Sequence, residues 1–347
     1  MEVLFGLLLV ILAGLGTGTA AWPIKKIKHL HFEQYLLVLM FTGIILYPWL
    51  VVLFSIPDPV EIVSKVGLQT LLISNLLSVC WGIANVLYLI CAVRIGAALT
   101  GSILSATGMS VGVIIPMIFK GSGMFNNAPG LFSPAGLVIM AGLVVIIIGI
   151  VLVSLAGFGR EKVLQERDGL LRSSRGSGSF LQGLILVILA GFLSSGLSLS
   201  FVYGQGTVIE AAKSQGAGDI IANVTVWAYC ILGGGLVNVF YALFLMAKHN
   251  SWKRLFERKD ELIYGSIIGL QYFGAIILFG RGILLLGVLG ASVGFAIQQS
   301  FQVIGNQLVG FIGGEWKDIY GKPRKNLYLA FGIILLAVVL LAFSNTI

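Results

Sequence analysis

The sequence predicts an all-α polytopic membrane protein, ten transmembrane helices arranged as two inverted five-helix repeats. Three observations carry that prediction. Hydrophobic residues make up 58% of the 347 and charged residues only 10%, with a mean hydropathy of +1.01. A water-soluble domain carries about 25% charged residues, so most of this surface is solvated by lipid. The basic residues gather in alternate loops between hydrophobic runs. Finally, residues 183–192 (GLILVILAGF) nearly repeat residues 6–15 (GLLLVILAGL), with eight of ten positions identical, 177 residues later.

A hydrocarbon core of about 30 Å needs roughly 20 apolar residues per helix. Ten runs meet that length, at approximately 3–22, 34–54, 68–93, 97–119, 133–157, 179–204, 219–247, 262–280, 284–313 and 326–344. The first run has no basic n-region and ends in a basic cluster, so it reads as a membrane helix rather than a cleaved signal peptide. Pro23 and Pro116 end or kink helices near membrane boundaries. Only Arg94-Ile95-Gly96 separates the third and fourth runs, which predicts a tight helical hairpin. Gly280-Arg281-Gly282 does the same for the eighth and ninth. Continuous runs of this length exclude an outer-membrane barrel, whose strands alternate over about 10 residues.

The loops after odd-numbered runs hold 18 of the 22 lysines and arginines, whereas the loops after even-numbered runs hold only Lys65, Lys120, Lys213 and Arg281. Cytoplasmic loops carry the excess of Lys and Arg. Odd loops therefore face the cytoplasm, and both termini face the periplasm. The net charge of +8 reflects this asymmetry and lipid head groups, with no call for nucleic acid. The longest charged loop, 159–178, divides the runs into two sets of five. The chain thus reads as one membrane domain: a first repeat at 1–157, a cytoplasmic linker at 158–178 and a second repeat at 179–347. Because five is odd, the second copy starts from the opposite side of the membrane, giving the inverted repeat typical of secondary transporters.

Polar side chains inside spans usually face the bundle interior or a water-filled cavity. The third run carries Asn75, Ser78, Trp81, Gly82, Asn85 and Tyr88 at helical spacings of three and four. The seventh carries Asn223, Trp227, Gly234, Asn238 and Tyr241. The eighth adds Gln271 and Tyr272, and the ninth places Gln298, Gln302 and Asn306 at i, i+4 and i+8, beside Gln299 and Gln307. Amides donate to and accept from hydroxyls, and a flat aromatic ring covers the apolar face of a pyranose. The expected substrate site is lined by Asn85, Trp81, Tyr88, Asn75, Trp227, Gln271, Gln298, Gln302 and Asn306. The small residues Gly101, Ser105, Gly108 and Gly112, and the triplet Gly233-Gly234-Gly235, read as close helix packing.

No Asp, Glu or His lies near the middle of any run, and the three cysteines Cys80, Cys91 and Cys230 all sit in apolar stretches. A membrane hydrolase or metalloenzyme needs such groups at membrane depth. The sequence therefore predicts no enzyme, no cofactor and no metal site. It also shows no charged ring or filter loop of an ion channel.

At Trp22-Pro23-Ile24-Lys25-Lys26, Trp81-Gly82-Ile83-Ala84-Asn85 and Gly313-Gly314-Glu315-Trp316-Lys317, the chain resembles the bacterial L-rhamnose–proton symporter family, within the drug/metabolite transporter superfamily. The resemblance runs over nearly the whole length. It implies proton-driven uptake of a deoxyhexose such as L-rhamnose, with Trp81, Asn85, Lys25 and Lys26 as the positions carried over. The ninth run holds glutamines and no titratable group, so the coupling candidates are Glu210 and Glu315. The expected function is secondary active transport of a small neutral sugar across the inner membrane, by a monomer or homodimer that alternates access. An exporter of drugs, metabolites or amino acids is the alternative within the same fold, and a non-transporting receptor is the alternative outside it. The charge asymmetry makes a direct prediction. A tag at the C-terminus is labelled by impermeant reagents from the periplasmic side, and labelling from the cytoplasmic side refutes the topology.

Overall fold

A backbone in hydrocarbon must satisfy its own polar groups, so apolar runs of this length become helices. The computed structural model describes residues 2–20, 22, 27–95, 97–119, 129–167, 177–287 and 290–343, and among these it shows helices and no strands. The helices are α1 (Glu2–Thr19), α2 (Phe32–Met40), α3 (Tyr47–Ser55), α4 (Pro59–Val66), α5 (Leu68–Ile95), α6 (Ala97–Ile118), α7 (Pro134–Arg167), α8 (Ser177–Ser194), α9 (Gly196–Lys213), α10 (Asp219–Cys230), α11 (Leu232–Lys248), α12 (Arg254–Glu257), α13 (Lys259–Leu286), α14 (Phe295–Ile312) and α15 (Lys322–Phe343). A π-helical segment, Phe41–Leu46, joins α2 to α3, and a second, Gly290–Gly294, leads into α14. Of the features read from the sequence, Pro23, Lys25, Lys26, Gly96, Lys120 and the linker residues 168–176 lie outside the described residues.

Eight helical segments are long and apolar enough to cross a membrane, or nine when α10 and α11, bent by 53° at their junction, count as one span. The remaining run of the ten expected is α14. It is 18 residues long but carries five amides, Gln298, Gln299, Gln302, Asn306 and Gln307, which pull its hydropathy down. The chain is thus a multi-pass membrane protein in which one helix is too polar to face lipid alone.

The packing places α14 accordingly. It lies against α1, which also packs on α13. On another side of the bundle, α8 packs on α5 and α6. The segment from α2 through α3 pairs with α10, α11 and α13, and α7 pairs with α15. Glycines set several of these approaches, as expected where helices associate without a hydrophobic driving force between them. A Cβ on Gly14 or Gly18 would collide with the carbonyls of Gln298 and Gln302, so α1 and α14 touch backbone to backbone. Gly234 of α11 meets the Ser78 carbonyl of α5 in the same way, and Gly108 of α6 meets Ser194 of α8.

The bend between α10 and α11 releases backbone groups that hydrocarbon cannot satisfy. Helix α5 supplies their partners. Asn75 donates from Nδ2 to the carbonyls of Tyr229 (2.7 Å) and Leu71 (2.9 Å) and accepts from the Gly233 N–H at Oδ1 (2.8 Å). Ser78 Oγ accepts from the Gly234 N–H at 2.9 Å. From α9, Ser200 Oγ donates to the Cys230 carbonyl at 2.9 Å.

The α1–α14 contact yields a stability test. Overpacking a tight interface costs about 1–3 kcal/mol, so Gly14→Val lowers the thermal midpoint of the detergent-solubilised protein by several degrees. Gly206→Ala in α9 raises the midpoint or leaves it unchanged, because nothing lies within 4 Å of the added Cβ.

Candidate functional site

The cavity at the centre of the bundle measures about 170 Å³. Trp81 and Asn85 reach it from α5, Trp227 from α10, and Gln298, Gln299 and Gln302 from α14. Its wall also includes Thr17 of α1, Ser105 of α6, Ser194 of α8 and Tyr272 of α13, with Phe279 and Phe295 among the apolar members. None of its lining residues is charged. The wall therefore offers amides, hydroxyls and indole rings to a neutral solute.

Local geometry orients these groups. The close α1–α14 packing brings Gln298 Nε2 to 3.0 Å from Thr17 Oγ1, to which it donates, and to 3.4 Å from Gln302 Oε1. Thr17 meanwhile donates to the Ala13 and Gly14 carbonyls of its own helix. Gln298 is 8% exposed, and its amide N–H groups are held by Thr17 of α1 and Gln302 of its own helix. Trp227 packs between Phe201 and Phe279, with ring centroids 4.8 and 6.3 Å away. It is 2% exposed, and its Nε1–H has no hydrogen-bond partner. An unpaired buried donor costs about 1–3 kcal/mol, which a ligand acceptor would recover.

The structure brings five of the nine expected lining residues together here: Trp81, Asn85, Trp227, Gln298 and Gln302. Tyr88 and Asn306 line a second cavity of about 320 Å³, along with Ser102, Ser154 and Arg160. Ser105 lies on the walls of both cavities. Asn75 is engaged at the α10–α11 bend. Gln271 ties α13 to the end of α1, donating to the Gly16 carbonyl and Thr19 Oγ1 (2.9 Å each) and accepting from Trp22 Nε1 at 2.9 Å. The small-residue stripe on α6 divides as well: Gly108 and Gly112 sit at packing contacts, while Gly101 and Ser105 line cavities.

Sequence reasoning missed Thr17 and Ser194. A hydroxyl can bond to its own helix, as Thr17 and Ser194 both do, so it leaves no signature in an apolar run. It also assigned no role to two carboxylates at one end of the bundle. Glu261 is 2% exposed and accepts from the backbone N–H groups of Lys28, His29 and Leu30 and pairs with the His29 ring. Glu33 is 4% exposed, accepts from Ser251 Oγ at 2.9 Å and pairs with His249. His29 and His249 thus bind buried carboxylates. Of the two coupling candidates, Glu315 forms an ion pair with Arg160 at 2.7 Å, and Glu210 is exposed at the end of α9. Neither lines the central cavity. Among the described residues no cluster of His, Cys, Asp and Glu is arranged to hold a metal ion.

Residues 2–345 match the family model described as L-rhamnose-proton symport protein. The chain is similar to the L-rhamnose-proton symporter of Pectobacterium atrosepticum, at 25% identity over 322 residues, covering 91% of this chain and 90% of the relative. It is similar at 24% identity over 324 residues to those of Pectobacterium carotovorum and Yersinia pestis, with the same coverage. These relatives are transporters and not enzymes.

The two asparagines of α5 separate structure from lining. Asn75→Ala strands a carbonyl and an N–H at the bend, at about 1–3 kcal/mol for each lost partner, and lowers the thermal midpoint markedly. Asn85→Ala, which only enlarges a cavity wall, changes the midpoint far less. Differential scanning fluorimetry of the two purified variants checks the contrast.

Proposed function

The chain belongs to the L-rhamnose-proton symport protein family, and on that premise we propose that it carries a small neutral sugar, L-rhamnose or a related monosaccharide, with protons across the inner membrane by alternating access. The observation that carries this reading is the central cavity. Its polar lining consists of Asn85, Gln298, Gln299, Gln302 and hydroxyls beside Trp81 and Trp227, with no charged side chain among the lining residues. Hydroxyl-rich rings are recognised by paired donor–acceptor amides, with indole faces against their C–H surface. A fixed charge would instead suit an ionic cargo. The exporter and receptor readings draw no support from the relatives.

The proposed scaffold is the ten-helix inverted repeat, with both termini in the periplasm. The helix partnerships support it. Helix α1 packs on α13 and α14, and α8, five runs later, packs on α5 and α6, five runs earlier. The second and seventh runs pair with each other through α2–α11 and α3–α10, as do the fifth and tenth through α7 and α15. Exchanging the two halves leaves this set of partnerships unchanged, which is what a twofold relation between inverted copies requires. One half rocking against the other then exposes the cavity to each side in turn.

Protons need a titratable group, and the cavity wall holds no carboxylate or histidine. Of the coupling candidates, Glu315 has the supporting geometry: its ion-pair partner Arg160 lines the second cavity. The uptake test uses substitutions. Asn85→Ala and Gln302→Ala each remove hydrogen bonds to the sugar and reduce uptake of labelled L-rhamnose at least tenfold, at about 1.4 kcal/mol per factor of ten, while membrane insertion is retained. Full uptake by both variants sinks the site assignment.

A further inference from the structure

The interface between α10 and α13 contains a buried side chain that the central cavity does not use. Asn223 is 0% exposed, and neither Nδ2 nor Oδ1 has a hydrogen-bond partner. A primary amide with neither end bonded to the protein in a buried interface is a costly arrangement that folded proteins rarely keep without a use for it. Nor is it squeezed there by accident of packing. It lies over Gly280 of α13, where any Cβ would collide with the amide, so the facing helix is hollowed at that one position to receive it.

Its neighbours on both sides explain the placement. Asp219, Asn223 and Trp227 are spaced i, i+4 and i+8 and form one stripe on α10. They meet three successive residues of α13. Asp219 pairs with Arg281 at 2.7 Å and with Lys213 of α9 at 2.8 Å, all three side chains being partly exposed at the end of the bundle. Asn223 meets Gly280. Trp227 meets Phe279 and lines the central cavity with an unpaired Nε1–H. The stripe therefore runs from a solvated ion pair, through a sequestered amide, to the cavity wall. Its α13 side is backed by α1 and its α10 side by α9, while the segment from α2 through α3 touches both helices. Separation of α10 from α13 at this end opens the seam and exposes Asn223 to water.

From this we propose that the α10–α13 seam is the periplasmic access route to the central cavity, that the Asp219–Arg281 pair latches its mouth, and that Asn223 is the amide that bonds a hydroxyl of the incoming solute before it reaches Trp227. The closed seam leaves the amide unsatisfied; opening hydrates it, and the solute then replaces that water. The unpaired amide thereby lowers the cost of opening, and the ion pair opposes it. The last element of the proposal rests on the sugar reading given above, and the periplasmic side of the route rests on the topology proposed there.

The test combines labelling and uptake. In a Cys80→Ala background, where Cys91 and Cys230 are buried, Asn223→Cys is exposed to a membrane-impermeant thiol reagent in right-side-out vesicles, with the parent as baseline. The expected result is labelling from the periplasmic side, accelerated about fivefold by Asp219→Asn or by Arg281→Gln, and slowed by saturating L-rhamnose. Labelling that is the same with the ion pair intact or broken, that occurs only from the cytoplasmic side, or that never occurs, overturns the route. In the uptake arm, Asn223→Ala raises the external half-saturation concentration about tenfold, and an unchanged value overturns the amide's contact with the solute. If labelling behaves as expected but no sugar slows it and the parent takes up no sugar, the route stands and the sugar reading falls.

Discussion

Everything in this molecule depends on one constraint: within hydrocarbon, each backbone N–H and C=O must find a partner inside the protein. The unbroken helices meet it by themselves. The 53° bend between α10 and α11 does not, and it exists only because α5 and α9 present Asn75, Ser78 and Ser200 to the freed groups. That arrangement fixes α5 against α11 and determines what α5 has left. One side of the helix is committed to a neighbour's backbone, and the adjacent side turns Trp81 and Asn85 to the cavity.

The same constraint governs α14. Five amides on 18 residues are costly against lipid, and the glycines of α1 let one side of this helix pack tightly inside the bundle. Backbone contact at Gly14 and Gly18 is close enough for Gln298 to bond Thr17 across the interface. Helix packing and the lining of the cavity are therefore one feature here. Charges are held to the ends, where water or dense hydrogen bonding is available: Asp219 with two cations at one end, and Glu261 cradled by three backbone N–H groups at another site. A central cavity with no charged side chain among its lining residues is what remains.

The class of the molecule is legible in its letters, because hydropathy is a property of local composition and the bilayer reads it directly. Long apolar runs and alternating basic loops were visible in the sequence, but the turn expected at Gly280-Arg281-Gly282 lies inside α13, which stays helical to Leu286 and ends at Gly287, because glycines flanking one arginine do not break a helix packed along its length on α1. The amide-bearing helices α5, α13 and α14 and the Trp227 helix α10 all reach the cavity, since clustered amides in apolar runs have no cheap alternative to an interior position. The sequence could not divide those amides by role. Asn75 and Asn85 lie ten residues apart on the same helix, and Gln271 and Gln298 look equivalent as letters; what each faces depends on the neighbour packed against it. The bend at Ile231, the hydroxyls of Thr17 and Ser194, the buried Glu33 and Glu261 and the unpaired amide of Asn223 were decided only by tertiary structure. Each is defined by a partner more than a hundred residues away, by one on its own helix, or by the absence of any partner, and no local pattern encodes those relations.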